Sequence, residues 1–314
     1  MFIILLISGV LYEKYQLYEV SQKEKEDYDL IKQFLLNEND SLAKKEKPII
    51  WIHIEHEENA RWWQSFYSRN SRHLNQPYLH LTIKSIIRYC QEDFNICLIN
   101  DDSFTTLLNE YDINVDELPK PIKSHMRSLA MCKILHKYGG IVVPNSYVCL
   151  SNLKDYHDQW LTTKDMFVVE NKSTGITADK QPFFPNINFM GCVKGSENMN
   201  DLCVHIAKLM SNDYTDEIEF LNQINSYSYA LCQSGKCTLV CGSYIGVKKS
   251  NGDPVNIEEL MGSTYIKMPE NMIGLYIPAD EILKRTNYQW FARLSAEQII
   301  ESNILVSKYI MLSQ

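Results

Sequence analysis

The run FNICLINDDS ends an apolar stretch in two carboxylates, Asp101 and Asp102. Acidic side chains just beyond a buried strand can hold a ribose or base, because a parallel sheet exposes its ligand contacts at the carboxyl ends of its strands. The plain alternative is that one of the pair caps the following helix, DDSFTTLLNEY. A second run, PIIWIHIE, delivers His53, Glu55 and then His56. A His-x-Glu-His string invites a metal, but strand alternation puts His53 and Glu55 on one face and His56 on the other. His53 is therefore a candidate for ligand contact, and no metal is expected there. The segment RWWQSFYSRNSRHLNQPY gathers Arg61, Arg69 and Arg72 around Trp62, Trp63 and Tyr67. These three aromatics are candidates for stacking on an acceptor sugar, and packing onto a sheet edge is the competing role.

No nucleophile system stands beside these residues. There is no G-x-S-x-G elbow, and CGSYIGV lacks the Lys-Ser/Thr of a phosphate loop. Of the nine cysteines, most lie inside apolar runs such as FNICLI and YVCLSNL, where they behave as small hydrophobes. The cluster CQSGKCTLVC fits no zinc-ribbon spacing and has no histidine at ligand distance. A Cys232–Cys237 disulfide and free thiols both remain compatible with it.

The elements that must position these groups follow from periodicity. PIIWIHIE, FNICLI and the IVV after Gly140 read as buried strands of β-branched and apolar residues. Between them, LNQPYLHLTIKSIIRYC places Leu79, Ile83, Ile86 and Ile87 at helical spacing with Pro77 in the first turn. The segment from Ile122 to Tyr138 is an amphipathic helix that Gly139 and Gly140 terminate. Strand, helix, strand, helix, strand is the order of a mainly parallel α/β sheet with helices on both faces. The second half is less regular. DMFVVEN, FFPNINFMGCV (interrupted by Pro185) and TLVCGSYIGV read as strands, and ENMNDLCVHIAKLM as a helix. EILKRTNYQWF and SAEQIIESNILVSKYIML read as closing helices.

At 314 residues and 45% hydrophobic, the chain can bury a large core. Its formal charge of −8, with no long basic block, argues against nucleic acid as a partner. The apolar run MFIILLISGVLY is shorter than a spanning helix needs, and it lacks the basic flank of a signal peptide. Residues 1–12 are read as a membrane anchor or signal-anchor, with a helix packed on the domain as the alternative. Residues 13–47, rich in charges of both signs, are read as a stem, and residues 48–314 as the globular domain. This arrangement implies a membrane-associated, type II-like protein.

The order PIIWIHIE, FNICLINDDS, RSLAMCKILHKYGGIVV, NFMGCVKGSENM resembles the glycosyltransferases with a DXD-containing sugar-binding region. These are GT-A-type enzymes, including outer-chain mannosyltransferases and capsular polysaccharide transferases. The likeness spans about Pro48 to Leu209 and is sharpest across the helix, the Tyr-Gly-Gly turn and the strand after it. It implies a GT-A-like nucleotide-binding sheet and transfer of a sugar from a nucleotide-sugar donor to a glycan or protein acceptor. It also implies a Mn²⁺ or Mg²⁺ ion held on the diphosphate by the two DXD aspartates. The donor-binding candidates it supports are His53, Asp101, Asp102, Arg127, Gly139, Gly140, Asn145 and Ser146.

The pattern of that family is D-x-x-R-x-x-x-L-x-x-x-GG-I-Y-x-D-x-D. Counted from Gly139, its Asp and Arg fall here on Ser128 and Met131, and its DXD aspartates on Pro144 and Ser146. The usual metal ligands are therefore missing, and no cofactor is expected. Arg127 lies one helical turn before Met131 and faces the same side. It is a candidate substitute, as are Lys172 and Arg285 for a phosphate. Two readings follow: a glycosyltransferase working without a DXD-bound metal, or a catalytically degenerate transferase fold that binds or builds, for instance in membrane or virion assembly.

Overall fold

The computed structural model describes residues 34, 47–54, 76–108, 115–173, 181–212 and 217–314. The candidates Trp62, Trp63 and Tyr67 and the segment 1–12 lie outside them.

Alternation in the first strand sets the architecture. In β1 (Ile49–His53), Ile50 and Ile52 point to one face while Ile49, Trp51 and His53 point to the other. Both sets are apolar up to His53, which marks a strand covered on two sides. Helix α1 (Pro77–Cys90) starts with proline in its first turn, where the missing N–H costs nothing. It packs Ile83, Ile86, Ile87 and Cys90 onto the Ile50 face. Strand β2 (Asn95–Ile99) then runs parallel to β1, pairing Ile49 with Asn95 through His53 with Ile99. A short α2 (Ser103–Leu107) follows.

Helix α3 (Lys120–Tyr138) covers the opposite face through Leu129, Ala130, Cys132, Ile134 and Leu135. Gly139 ends it with φ of 76°, and its N–H donates to the Leu135 carbonyl. Strand β3 (Gly140–Val142) pairs parallel with β1 on the side away from β2. The order β2-β1-β3 is thus what two crossovers through α1 and α3 produce.

After β3 the chain turns at Pro144–Tyr147 into β4 (Tyr147–Cys149), α4 (Lys154–Trp160) and β5 (Met166–Lys172). Strand β6 (Phe183–Cys192) is antiparallel to both β3 and β5, and α5 (Glu197–Met210), α6 (Glu217–Gln233) and β7 (Thr238–Val240) follow. The sheet order is β2-β1-β3-β6-β5-β7, with β6 alone running against the other five strands. Pro185 does not interrupt β6. It pairs with Glu170 of β5, while β3 contacts β6 only from Met190 to Cys192, so the edge at Pro185 has no ladder bond to lose.

The remaining chain builds a third apolar cluster on the outer side of α1. Its elements are α7 (Ile257–Leu260), β8 (Gly274–Tyr276), α8 (Ala279–Lys284), α9 (Ala296–Glu301) and α10 (Leu305–Ser313). Strand β8 pairs antiparallel with β4 as a separate two-stranded sheet. Tyr78, Leu79 and Leu81 of α1 enter this cluster, so α1 is buried on both sides. The expected closing helices are each broken. The first stops at Lys284, and the second divides at Ser302–Ile304.

Two of the expected stem residues are described. Phe34 packs against the α1 face of the sheet, and its carbonyl accepts from Leu98 N–H at 2.9 Å. Lys47 reaches the Glu92 carbonyl, and its own carbonyl takes Asn95 Nδ2. Both residues therefore touch the domain. Among the described residues no helix is long and apolar enough to cross a membrane.

Candidate functional site

Parallel pairing brings three strand ends to one edge of the sheet: His53 from β1, Asn100–Asp102 after β2, and Pro144–Ser146 after β3. Asn145 Nδ2 donates to the His53 carbonyl at 3.3 Å, and Thr82 Oγ1 of α1 donates to the Asn145 carbonyl. At this edge lies a cleft of about 310 Å³. It is lined by His53, Asn145, Ser146 and, from α3, Ser124, Arg127, Ser128 and Met131. Asn188 of β6, Tyr276 of β8 and Asp280 of α8 also line it.

Asp101 is the hub. Its carboxylate accepts from Arg127 Nε at 2.9 and 3.2 Å and from the terminal guanidinium nitrogen at 2.7 Å, a bidentate pair. His53 Nε2 lies 3.0 Å from Oδ1, and Lys123 Nζ 3.8 Å from Oδ2. Burial would raise the pKa of this carboxyl, but the hydrogen bonds and charges of His53 and Arg127 outweigh it and hold it well below the usual carboxylate range. The His53 ring is stacked on Phe104, centroids 5.4 Å apart and planes 6° from parallel.

Of the acidic pair, only Asp101 joins the site. Asp102 is exposed at the start of α2, 3.4 Å from Asn100 Nδ2. Gly139 and Gly140 stand at the amino end of β3, on the edge of the sheet opposite the cleft. A Cβ on Gly140, whose φ is 101°, would meet the Ile49 carbonyl oxygen at 2.2 Å, and Gly139 O accepts from Trp51 Nε1 at 2.9 Å. The close approach of β1 and β3 accounts for Gly140, and the Lys194 backbone nitrogen, 2.7 Å from where a Cβ on Gly139 would lie, accounts for Gly139. Lys172 donates to Asn256, and Arg285 pairs with Glu258 and Glu281, none of them in the cleft lining.

The lining residues from β8 and α8 had no signature in the sequence. Asp280 and Tyr276 arrive on a three-residue strand and a six-residue helix, too short for a periodic pattern. Burial and the neighbouring Asp280 raise the Tyr276 phenol, while Asn171 and Asn188 hydrogen-bond to it. It is therefore a neutral hydroxyl at physiological pH.

A divalent cation on a diphosphate needs several hard oxygen ligands, at least one of them a carboxylate. At the carboxyl end of β3 the chain offers Pro144, which has no side-chain oxygen, and the neutral Asn145 and Ser146. Asp101 is committed to Arg127 and His53. Asp280 is the carboxylate in the cleft lining, and among the described residues no three His, Cys, Asp or Glu side chains converge to hold a metal. All nine cysteines are free thiols, and only Cys232 and Cys241 are other than buried.

Fold and site together define an α/β protein with a mainly parallel central sheet and a polar cleft at the strands' carboxyl edge. No family model matches the chain, and no curated protein matches it. Among solved structures it is similar to one described as "PaToxG Glycosyltransferase", at 11% identity and a TM-score of 0.33, over 69% of this chain and 80% of that one. A likeness of that size carries no argument about activity.

Proposed function

We propose that the cleft binds a nucleotide-sugar and that the protein transfers the sugar to a glycan or protein acceptor without a cation held at the end of β3. One observation carries this reading. The four positions at which the chain departs from the pattern it resembles, Ser128, Met131, Pro144 and Ser146, all line the same cleft. Positions 128 and 131 lie on α3 and positions 144 and 146 follow β3, so their meeting is a property of the fold and not of sequence spacing. The cleft also has the place and size expected of a ligand site in a sheet of this class. Arg127 and Lys123 supply positive charge near it, and Asn145, Asn188 and Tyr276 supply neutral hydrogen-bonding groups. Calorimetric titration of the full chain against UDP-, GDP- and CMP-sugars tests the reading. Binding that survives a chelator supports it, and failure of every donor to bind overturns it.

The second reading is a transferase fold kept for binding or assembly. It is favoured by the way the protein satisfies Arg127 internally, through Asp101. Donor binding with no turnover of any donor would select it. We further propose that Met1–Tyr12 associates with a membrane. Flotation of the full chain with phospholipid vesicles, lost on deletion of residues 1–12, is the expected result.

A further inference from the structure

We infer that Cys90 and Cys149 are the partners of a disulfide that ties α1 to β4 in the mature protein, an inference independent of the glycosyl-transfer reading. Cys90 is the last residue of α1 and packs on the Ile50 face of the sheet with Ile83, Ile86 and Ile87. Cys149 is the last residue of β4 and enters the same cluster. Their sulfurs lie 3.9 Å apart, and both side chains are fully buried. Thiols in van der Waals contact reach bonding distance through small rotations about the two Cα–Cβ bonds. Hydrogen bonds already fix this part of the chain on α1. Ser85 Oγ accepts from Cys149 N–H at 2.8 Å, and Thr82 Oγ1 donates to the Asn145 carbonyl. The sheet also keeps other partners away. Cys97, Cys132, Cys192, Cys203, Cys232 and Cys237 belong to the apolar cluster on its opposite face. Cys241 stands against Lys248, 3.5 Å from Nζ. Spacing in the sequence leaves the pairing of nine cysteines open. By dividing them between two faces, the sheet leaves Cys90 one partner.

The bond closes residues 90–149 into a loop that carries β2, α3 and β3. Asp101, Arg127 and Asn145 all lie inside it, so the constraint falls on the segment that delivers the Asp101–Arg127 pair and Asn145. A cross-link between residues 59 apart removes loop-closure entropy from the unfolded chain and so stabilises the fold. The oxidant is a small disulfide such as oxidised glutathione. One cysteine thiolate attacks a glutathione sulfur, the S–S bond breaks, and its electron pair leaves on the first glutathione thiolate. The second cysteine thiolate attacks the protein sulfur of the mixed disulfide and expels the second glutathione thiolate. The two cysteine protons end on the two glutathione thiols, so two protein thiols are oxidised as one small disulfide is reduced. With both sulfurs buried in the finished fold, the exchange belongs to folding, and the closed bond is shielded from reductant. Such a bond suits a chain that folds in an oxidising compartment.

The test uses the full chain, unfolded in urea with dithiothreitol and refolded in a mixture of reduced and oxidised glutathione. Remaining thiols are alkylated, the protein is digested without reduction, and linked peptides are identified by mass spectrometry. The expected result is a peptide pair joining Cys90 to Cys149. The oxidised protein should unfold at a urea midpoint about 1 M above that of the reduced protein. In Cys90→Ala and in Cys149→Ala the two midpoints should draw together. Nine alkylated thiols, or any map that lacks the Cys90–Cys149 pair, overturns the inference. Glutathione adducts at Cys90 or Cys149 in place of the cross-link overturn it as well. A Cys90–Cys149 bond that lowers the midpoint marks a forced link and overturns it too. The same map, made on native protein held in oxidised glutathione and sub-denaturing urea, keeps the outcome independent of refolding yield and of the folding of either variant.

Discussion

Asp101 holds three side chains from two other elements, and its replacement should be felt in stability as well as in the cleft. Asp101→Asn keeps the shape and removes the charge that Arg127 and His53 address. We expect a loss of about 2 kcal/mol by denaturant unfolding, against less than about 0.5 kcal/mol for Asp102→Asn on the exposed side. The folded carboxyl of Asp101 is held below its unfolded value, so its contribution is present above about pH 4 and disappears as pH falls through the folded value. His157 acts in the same direction. Its buried ring titrates below the ordinary histidine value, burial outweighing the contact with Asp158, so it opposes folding as pH falls below about 6.5. Melting temperature against pH should therefore decline in two stages, the milder one flattened by His157→Gln and the more acidic one by Asp101→Asn. At the end of β3, Pro144→Asp with Ser146→Asp restores two carboxylates to the cleft. If the cleft has kept a diphosphate subsite, nucleotide binding should become Mn²⁺-dependent in this variant and not in the Pro144→Ala, Ser146→Ala control. Ser146 is only 3% exposed, so the melting curve of each must accompany the titration.

Among the elements, the turn from α3 into β3 carries a tight geometric demand set by backbone. Gly140 has φ of 101° and lies where a Cβ would sit 2.2 Å from the Ile49 carbonyl oxygen, so an alanine must push β1 and β3 apart. Gly252 also has a positive φ, 91°, but a Cβ there would meet nothing within 4 Å. Gly252→Ala should cost about 1 kcal/mol, the backbone term alone, and Gly140→Ala about 3 kcal/mol or more. Equal losses for the two would show that the strand approach contributes nothing. Because β1 delivers His53 and β3 delivers Asn145, Gly140→Ala should also disturb the cleft from the far end of the sheet. The short β4 and β8 work differently. Three residues each, they gain their place by pairing with one another over α1 and by burying Tyr147, Val148 and Leu275.

For the molecule as a whole, the amino-terminal region has a measurable attachment to the domain. Phe34 covers part of the α1 face and satisfies Leu98 N–H on the outermost strand. A chain beginning at Ile49 retains all six strands of the central sheet and should fold, but with stability lowered by about 2 kcal/mol or more through the lost hydrogen bonds of Phe34, Lys47 and Pro48 and lost apolar cover. Unfolding of the two chains by urea measures the difference, and identical midpoints would return the segment to the role of a free stem. The sequence by itself determined β1, β2, β3, α1 and α3, because long runs of apolar residues at period 2 or 3.6 admit one local structure and the crossover rule then fixes their order. From that alone His53, Asp101 and Asn145 had to share an edge. Only the tertiary structure decided that Asp101 and not Asp102 faces the site, since either carboxylate fits the strand end and the choice falls to Arg127 on another element. It decided likewise that Gly139 and Gly140 serve close backbone packing at the opposite edge, and that Tyr276 and Asp280 line the cleft. Those groups ride on elements of a few residues, whose position comes from packing against α1 and β4 and leaves no periodic trace in the chain.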